Sequence, residues 1–453
     1  MNQYEVVIIG GGQAGIPLAF ALAAAGKRVA LIERKHLGGS CVNFGCTPTK
    51  TAIASARVAH LARRAADFGV RVPTVEIDFP RVIDRARAMV ASFRQGLDRG
   101  FTGQNPEWIR GHARIAGREG ERFRISVGSE TILADHVVLD TGTRSAIPTI
   151  EGIADIESIH AGNWLDYDRL PQRLIVVGGG VIALEMAQFY RRMGSEVVVV
   201  EANGQIAGSE DHDVAEALQK FLEREGIEFH IRTKIERVMK RGTDVVVKIA
   251  EKELRGTHLF IAAGRKPNSD DLGLETIGVK TNRGIVEVDE RLATNVARVW
   301  AAGDLRGGPM FTHTAWDDHR VLVSQIAGDH ERTTRRIVPY AIFTDPEVGR
   351  VGLTEREARE SGKEIKVARY EMRRNAKAME IAEPDGFIKI IADAATGQIV
   401  GAAVVSAEAA ELVHIFIDAM NARAPYTVIR EAIFIHPTLA EAVQSAAMML
   451  DTA

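Results

Sequence analysis

The stretch Glu5-Val-Val-Ile-Ile-Gly10-Gly-Gly12-Gln-Ala-Gly15 is an apolar run of β-forming residues that stops at a glycine turn. A helical pattern follows, and then a second short strand, Arg28-Val-Ala-Leu-Ile-Glu33, which ends in an acid. The same order recurs downstream, as Arg173-Leu-Ile-Val-Val-Gly178-Gly-Gly180-Val-Ile-Ala183, a helix, and Glu196-Val-Val-Val-Val-Glu201. In each copy the first glycine and the closing glutamate are 23 residues apart. Strand, tight turn, helix and strand in this spacing make a dinucleotide-binding fingerprint in its proper context. Gly10 and Gly178 permit the turn, and Gly12 and Gly180 let the backbone approach a pyrophosphate. Gly15 and Ala183 are small enough for the helix to pack on its strand. The pyrophosphate would rest on the helix N-terminus, with Glu33 and Glu201 placed to accept hydrogen bonds from ribose hydroxyls. The two copies predict an α/β chain with two Rossmann-like dinucleotide-binding domains, and therefore two cofactors, or a cofactor and a cosubstrate. At the second site the Glu201 carboxylate suits a free 2′-hydroxyl and repels a 2′-phosphate. Residues 202–209 hold no arginine, so NAD(H) is expected there rather than NADP(H).

Cys41 and Cys46 are the only cysteines of the 453-residue chain, and both lie in Gly38-Gly-Ser-Cys-Val-Asn-Phe-Gly-Cys-Thr-Pro-Thr-Lys50. Two cysteines placed together in a chain that uses none elsewhere point to a redox pair rather than to packing. Five residues of regular helix rise about 7.5 Å, whereas a disulfide needs Cα atoms closer than about 7 Å. The segment must therefore be distorted, and Gly39 and Gly45 supply the backbone freedom. Thr47 is expected at or near a helix N-cap and Pro48 in its first turn. The helix runs on through the apolar positions Ala54, Val58, Ala59, Leu61 and Ala65. A helix N-terminus beside Cys46 favours a thiolate there.

Length allows two to three domains with substantial cores. A net charge of −3 gives no reason to expect nucleic acid or an anionic membrane as partner. Charges interrupt every long apolar run, so no transmembrane helix is expected. The first residues enter a strand at once, leaving no room for a signal peptide. Sparse cysteine usage suits a reducing compartment, and a cytoplasmic location is expected. Beyond the cysteines no metal-ligand cluster appears. Arg335-Arg336 and Arg373-Arg374 read as solvated pairs, and His414 as interface packing.

Five further stretches complete the pattern: Leu139-Asp-Thr-Gly142, Ala263-Gly-Arg265-Lys-Pro-Asn268, Val299-Trp-Ala-Ala-Gly303-Asp304, Phe343-Thr-Asp-Pro-Glu-Val-Gly-Arg-Val-Gly-Leu-Thr-Glu355 and His436-Pro-Thr-Leu-Ala-Glu441. With the fingerprints and the cysteine segment, they make the whole chain resemble the pyridine nucleotide-disulfide oxidoreductases, such as lipoamide dehydrogenase, glutathione reductase and mercuric reductase. The resemblance implies FAD in the first site and a nicotinamide dinucleotide in the second. It implies an FAD domain split into 1–145 and 265–333, an inserted NAD domain at 146–264, and a C-terminal α+β dimerisation domain at 334–453. In that last part the residues suggest a hairpin from Gly386 to Val405 and helices over 411–420 and 439–450. Thr354 with Glu357 makes a capping box.

By the same resemblance Asp304 binds the ribityl chain, and Ser40 stands where a threonine contacts the pyrophosphate. Gly39, Ala113, Thr141, Gly142, Gly264 and Arg265 complete the cofactor contacts. Lys50 and Glu185 form an ion pair beside the flavin N5. Thr312 to Ala315 open a helix whose N-terminus faces the flavin pyrimidine and stabilises charge on it. Cys46 is the charge-transfer thiolate and Cys41 attacks the substrate through a mixed disulfide. His436, oriented by Glu441, moves the proton. The resemblance brings this pair from the partner subunit, so the expected active species is a two-fold homodimer with shared active sites. Electrons then run from NADH through FAD to the cysteines and on to a disulfide or other thiol-reactive acceptor, or in reverse from a dithiol to NAD+.

The wording from Thr47 to Arg63 and from Gly307 to Asp318 is closest to mercuric-reductase-like proteins. The chain lacks their C-terminal vicinal cysteines, and it carries His436 where they tend to have tyrosine. Dihydrolipoyl dehydrogenase is the alternative: Glu201 and His436 fit it, while Phe434 replaces that family's common second histidine. Glu201 disfavours glutathione reductase, and the cysteine pair disfavours soluble transhydrogenase. A flavin-bound redox sensor without turnover is the alternative of another class.

Overall fold

The computed structural model describes residues 2–103 and 105–452. Its first sheet has seven strands: β1 (Asn2–Ile9), β2 (Val29–Glu33), β3 (Glu107–Arg110), β4 (Ala113–Glu119), β5 (Arg122–Val127), β6 (Glu130–Leu139) and the late strand Val299–Ala301. β1 lies between β2 and β6, parallel to both, with Ile8 opposite Leu31 and Val138. Val6, Val7, Ile8 and Ile9 are buried on both faces, as a central parallel strand requires. Val299–Ala301 pairs in parallel with the end of β6. That pairing brings residues from far along the chain to the same sheet edge as Asp140 and Gly142.

A second parallel sheet takes the order Ile227–His230, Glu196–Val200, Arg173–Val177, His258–Ile261, Ile159–His160. A small antiparallel sheet of Ile235–Arg241, Asp244–Ile249 and Lys252–Gly256 packs nearby. The C-terminal part is a five-stranded antiparallel sheet. It includes the expected hairpin, Phe387–Asp393 against Ile399–Ser406. Helices Ala409–Asn421 and Glu441–Met449 cover it.

The helices that matter for the site are α1 (Gly15–Ala24), α2 (Gly39–Asn43), α3 (Cys46–Arg63), α4 (Phe79–Gly100), α5 (Val181–Met193), α6 (His212–Arg224), α7 (Thr312–Ala327) and α8 (Glu355–Glu360). α8 carries the full capping box, with Thr354 and Glu357 each accepting from the other's backbone N–H. α3 starts two residues earlier than the sequence suggests. Gly45 is its N-cap residue, so Thr47 sits inside the first turn, and its backbone carbonyl accepts from the Thr51 hydroxyl. The buried face is also shifted. Thr51, Ala52, Ala56 and Ala59 point inward, whereas Val58 is 68% exposed. Small residues win that face because α4 and α5 both pack closely on it. Ala52, Ala56 and Ala59 share one core with Phe79 and Ile83 of α4, Leu184 and Ala187 of α5, and Phe387 and Val405 of the C-terminal sheet. Among the described residues no helix is long and apolar enough to cross a membrane.

Candidate active site

The segment between α2 and α3 solves the spacing problem of the two cysteines. α2 ends at Asn43, and Phe44 (φ −157°) and Gly45 (φ −103°, ψ −122°) break the helix before α3 begins. The Gly45 N–H donates to the Ser40 carbonyl at 2.7 Å, and a Cβ on Gly45 would lie 2.7 Å from that oxygen. Only glycine closes this turn. Trp164, from the second unit, pins the break by donating its indole N–H to the Phe44 carbonyl at 3.0 Å. Asn43 holds α2 through its amide, which donates to the Leu37 and Gly39 carbonyls.

Cys41 and Cys46 are both free thiols in this state, and both line the cavity described below. Their environments pull them apart. Cys46 is lowered to about 6, first by a hydrogen bond from Cys41, then by the Thr312 hydroxyl and the Lys50 charge, against a burial cost. Its sulfur lies 3.3 Å from the Thr312 hydroxyl. Cys41 is pushed up, first because its proton is held on Cys46 and then by burial. The pair therefore shares one proton near neutral pH, with the charge on Cys46.

Lys50, one helical turn after Cys46, places Nζ 2.8 and 3.0 Å from the two Glu185 oxygens. Glu185 is almost fully buried and also accepts from the Phe343 N–H at 2.9 Å, while Lys50 lies 4.6 Å from the Phe343 ring centroid. The pair thus bridges α3 and α5, and so ties the redox helix to the second nucleotide unit. α7 brings its N-terminus to the same place, with Thr312, His313 and Ala315 facing the cavity. Behind it, buried Asp318 accepts from the Gly303 N–H and from Arg306, and Arg336 pairs with both Asp317 and Asp318. Arg336 is therefore structural and 16% exposed, contrary to its reading as a solvated charge, while Arg335 is exposed as expected. The charge that looked free in sequence is consumed by two carboxylates five and six residues after Thr312, in the second turn of α7.

One cavity of about 1270 Å³ joins these parts. From the N-terminal segment Gly10, Gly12, Glu33, Gly39, Ser40 and Lys50 line it. Ala113, Thr141, Gly142 and Arg265 line its middle, and Asp304, Thr312 and Ala315 its far wall. Gly15 lies just beneath, buried at the start of α1. Glu33 accepts from the Gly11 N–H at 3.0 Å, and Glu201 from the Gly179 N–H at 2.6 Å, so both acids brace their glycine turns. Asp304 accepts from the Thr143 hydroxyl at 2.8 Å, and Arg265 donates to the same hydroxyl oxygen at 2.9 Å. Thr143 is a member that sequence reading missed, although it follows directly on the quoted Thr141-Gly142.

The second fingerprint lies apart from this cavity. Gly178, Gly180, Ala183 and Glu201 sit at the ends of the second sheet, with Gly264 after its strand His258–Ile261. Val181, Ile182, Glu185 and Met186 of that unit's helix reach the cavity wall. An arginine invisible in the 202–209 window arrives from the neighbouring strand end. Arg232 donates its N–H to the Asn203 carbonyl, and its Nε would lie 3.6 Å from a Cβ on Gly204. His436 and Glu441 are paired at 3.0 Å but do not line the cavity, and the His436 side chain is 71% exposed. Within one chain, then, the structure does not bring the proton-transfer pair to the cysteines. Among the described residues no group of three or more His, Cys, Asp or Glu could hold a metal ion.

Two family models match. The model described as pyridine nucleotide-disulphide oxidoreductase covers residues 4–318, and that of its dimerisation domain covers 338–447. This chain belongs to the pyridine nucleotide-disulphide oxidoreductase family. It is 32% identical to dihydrolipoyl dehydrogenase of Cupriavidus necator over 99% of this chain and 98% of that one. It is 33% identical to the probable pyridine nucleotide-disulfide oxidoreductase RclA of Escherichia coli over 98% of each. A solved Cu(II) complex of the HOCl-induced flavoprotein disulfide reductase RclA superposes with a TM-score of 0.90 at 32% identity, covering 99% of this chain and all of that one. The chain is thus an FAD-dependent oxidoreductase that uses NAD(H) as cosubstrate and carries a dimerisation domain. The cavity fits the flavin dinucleotide: Gly10 and Gly12 line it, and Cβ atoms there would lie 2.1 and 2.7 Å from Asp140 atoms, so the turn packs against Asp140 and leaves its backbone as the cavity wall.

Proposed function

We propose that this enzyme passes electrons from NADH by way of FAD to the Cys41–Cys46 pair and on to a disulfide or another thiol-reactive acceptor. It would act in the cytoplasm as a homodimer with shared active sites, in the mercuric-reductase-like branch without the mercury-delivery cysteines. The domain division 1–145, 146–264, 265–333 and 334–453 belongs to the same reading. The observation that carries it is the meeting of Cys41, Cys46, the Thr312 hydroxyl and the Lys50–Glu185 pair on one cavity wall. Cys46, favoured as thiolate by its hydrogen bond from Cys41 and then by Thr312 and Lys50, is suited to face an electron-accepting ring, and Cys41 keeps a proton until it attacks.

Bound FAD would supply the hydride-accepting and two-electron-donating chemistry that links the nicotinamide to the cysteine disulfide. The residues set the path. Lys50 and Glu185 hold the wall between the two nucleotide units. Asp304, Thr143 and Arg265 form a polar chain that orients the ribityl portion, and Ser40 and Gly39 sit beside the first glycine turn. Cys41 cannot attack while protonated, so a base is required. His436 has the right chemistry, with Nδ1 fixed on Glu441 and its other nitrogen free. Because it stands away from its own cavity and is exposed, it would serve the partner's cysteines.

The acceptor is tested by NADH oxidation measured side by side with lipoamide, low-molecular-weight disulfides, Hg(II), Cu(II) and quinones. The solved RclA complex holds Cu(II), which favours including that ion here. We expect small electrophiles or metal ions to outperform lipoamide. Lipoamide turnover at hundreds per second, toward the upper part of the usual enzyme range, would make this a dihydrolipoyl dehydrogenase. Loss of the reducible cysteine pair's function with no acceptor turned over at all would leave the sensor reading.

A further inference from the structure

Asp140 stands at the end of β6, between the ends of β1 and Val299–Ala301, and is 6% exposed. Its Oδ2 accepts from the Gly15 N–H, the first amide of α1, at 2.7 Å. Its two oxygens also fill the space above two glycines: a Cβ on Gly12 would lie 2.7 Å from Oδ2, and one on Gly303 2.8 Å from Oδ1. The side chain therefore lines the dinucleotide cavity between the first fingerprint and the Gly303-Asp304 turn. Among the described residues no donor reaches Oδ1.

This is an unusual place for a carboxylate, because the dinucleotide that the turn receives carries a diphosphate. The groups facing Asp140 make ionisation still harder. Glu33 comes from β2, Asp304 from the turn after Val299–Ala301, and Asp318 from α7, and all three repel a second charge. The nearby cations do not compensate. Arg306 and Arg336 are paired with Asp318, and Arg265 is bonded to Thr143. Only the Gly15 amide and the α1 dipole favour the ionised form. Burial, followed by the three acids, outweighs that amide and holds the carboxyl well above its ordinary range.

We propose that Asp140 is a positioning residue of the FAD site in its neutral form, taking the Gly15 N–H on Oδ2 and donating a proton from Oδ1 to the bound flavin dinucleotide. The acid occupies the Gly15 N–H and offers a donor of its own in its place, without adding a charge beside the diphosphate. Ionisation would convert that donor into a repelling neighbour. FAD affinity is then at full strength below the pKa of Asp140 in the apoprotein. It weakens as pH rises between the apoprotein and holoprotein values, with one proton lost, about tenfold per pH unit.

The test is FAD release from the holoenzyme, read as recovered fluorescence of free flavin from pH 6 to 10, for the native enzyme and Asp140→Asn. Asparagine keeps both an acceptor and a donor but cannot ionise. The native enzyme should lose affinity on the alkaline side about tenfold per unit, and Asp140→Asn should stay within about threefold across the range. The same pH dependence in both proteins, whether a shared alkaline loss or none at all, would overturn the proposal. So would an Asp140→Asn that binds FAD more than tenfold more weakly at pH 6, since that would mean the carboxylate is the useful form. If the variant fails to fold, the infrared carbonyl band of a protonated acid in native holoenzyme labelled only in its aspartates decides the matter. The aspartate label sets aside Glu347, which is itself pushed up to about 7. The band should be present at pH 7 and shift on FAD removal, and its absence would refute the proposal.

Discussion

Removing the Thr312 hydroxyl isolates one contribution to the thiolate. Thr312→Val keeps the shape of the side chain and leaves α7, Lys50 and Cys41 in place. The hydroxyl lies 3.3 Å from the Cys46 sulfur and is one of the three groups that lower it to about 6. A hydrogen bond to a charged group is worth about 1.5–3 kcal/mol when removed, and one pKa unit is about 1.4 kcal/mol. The loss should therefore raise Cys46 by about one to two units, toward 7–8. The assay is a pH titration of the long-wavelength thiolate–flavin absorbance in the two-electron-reduced enzyme. In the native protein the band should be half developed near pH 6, growing as pH rises because the thiolate is the absorbing partner. Thr312→Val should move that midpoint up by about one unit or more, and Thr312→Ser should restore it. An unmoved midpoint would refute the assignment of the hydroxyl as thiolate donor. A band that disappears at every pH would mean that α7 had shifted, and the serine variant separates that case.

Three further outcomes follow from the same geometry. His436→Gln should lower turnover by about 10²–10⁴-fold while leaving reduction of the flavin by NADH intact. Mixing it with Cys41→Ser should restore part of the activity if each cavity is completed by its partner, and no recovery would place His436 elsewhere. Glu201→Gln should raise kcat/KM for NADPH relative to NADH at least tenfold. A repelling charge a few ångströms away is worth about 1–4 kcal/mol, and Arg232 already overlies the same loop; an unchanged ratio would show that Glu201 does not meet the ribose. Arg336→Ala should destabilise the protein by about 3 kcal/mol, since it strips one partner from the fully buried Asp318 while Arg306 remains. A change below about 0.5 kcal/mol in denaturant unfolding would mean that Arg306 alone satisfies the acid.

What the sequence made legible were the features with a local signature. The two glycine turns, their closing glutamates, the capping box at Thr354 and the C-terminal hairpin each depend on residues close together in the chain. The misreadings share a different cause. Thr47 looked like a cap because Ser, Thr and Asn usually are, yet Gly45 takes the N-cap position, since only a residue without Cβ can approach the Ser40 carbonyl so closely. Val58 looked inward by apolar spacing, but the face of α3 is chosen by α4 and α5, which demand alanines. Arg336 and Arg232 looked free or absent because their partners lie in other elements. Thr312 was read as a helix start facing the flavin, and its bond to Cys46 spans 266 residues of sequence. Asp140 stood in plain view in Leu139-Asp-Thr-Gly142, but nothing in its neighbours along the chain reveals that Gly15, Glu33, Asp304 and Asp318 converge on it.

The shared core around α3 has a bearing on how the molecule comes apart. Its buried residues are drawn from the redox helix, from the second parallel sheet and from the C-terminal sheet, with Ile342, Phe387 and Val405 touching the same cluster as Ala56 and Leu184. A lobe excised at any sheet boundary would carry away one wall of that cluster and expose the others to water. The architecture is therefore modular in its topology but not in its thermodynamics. Heat or denaturant should melt the nucleotide-binding units and the dimerisation sheet together in one cooperative step, rather than peeling them away one after another.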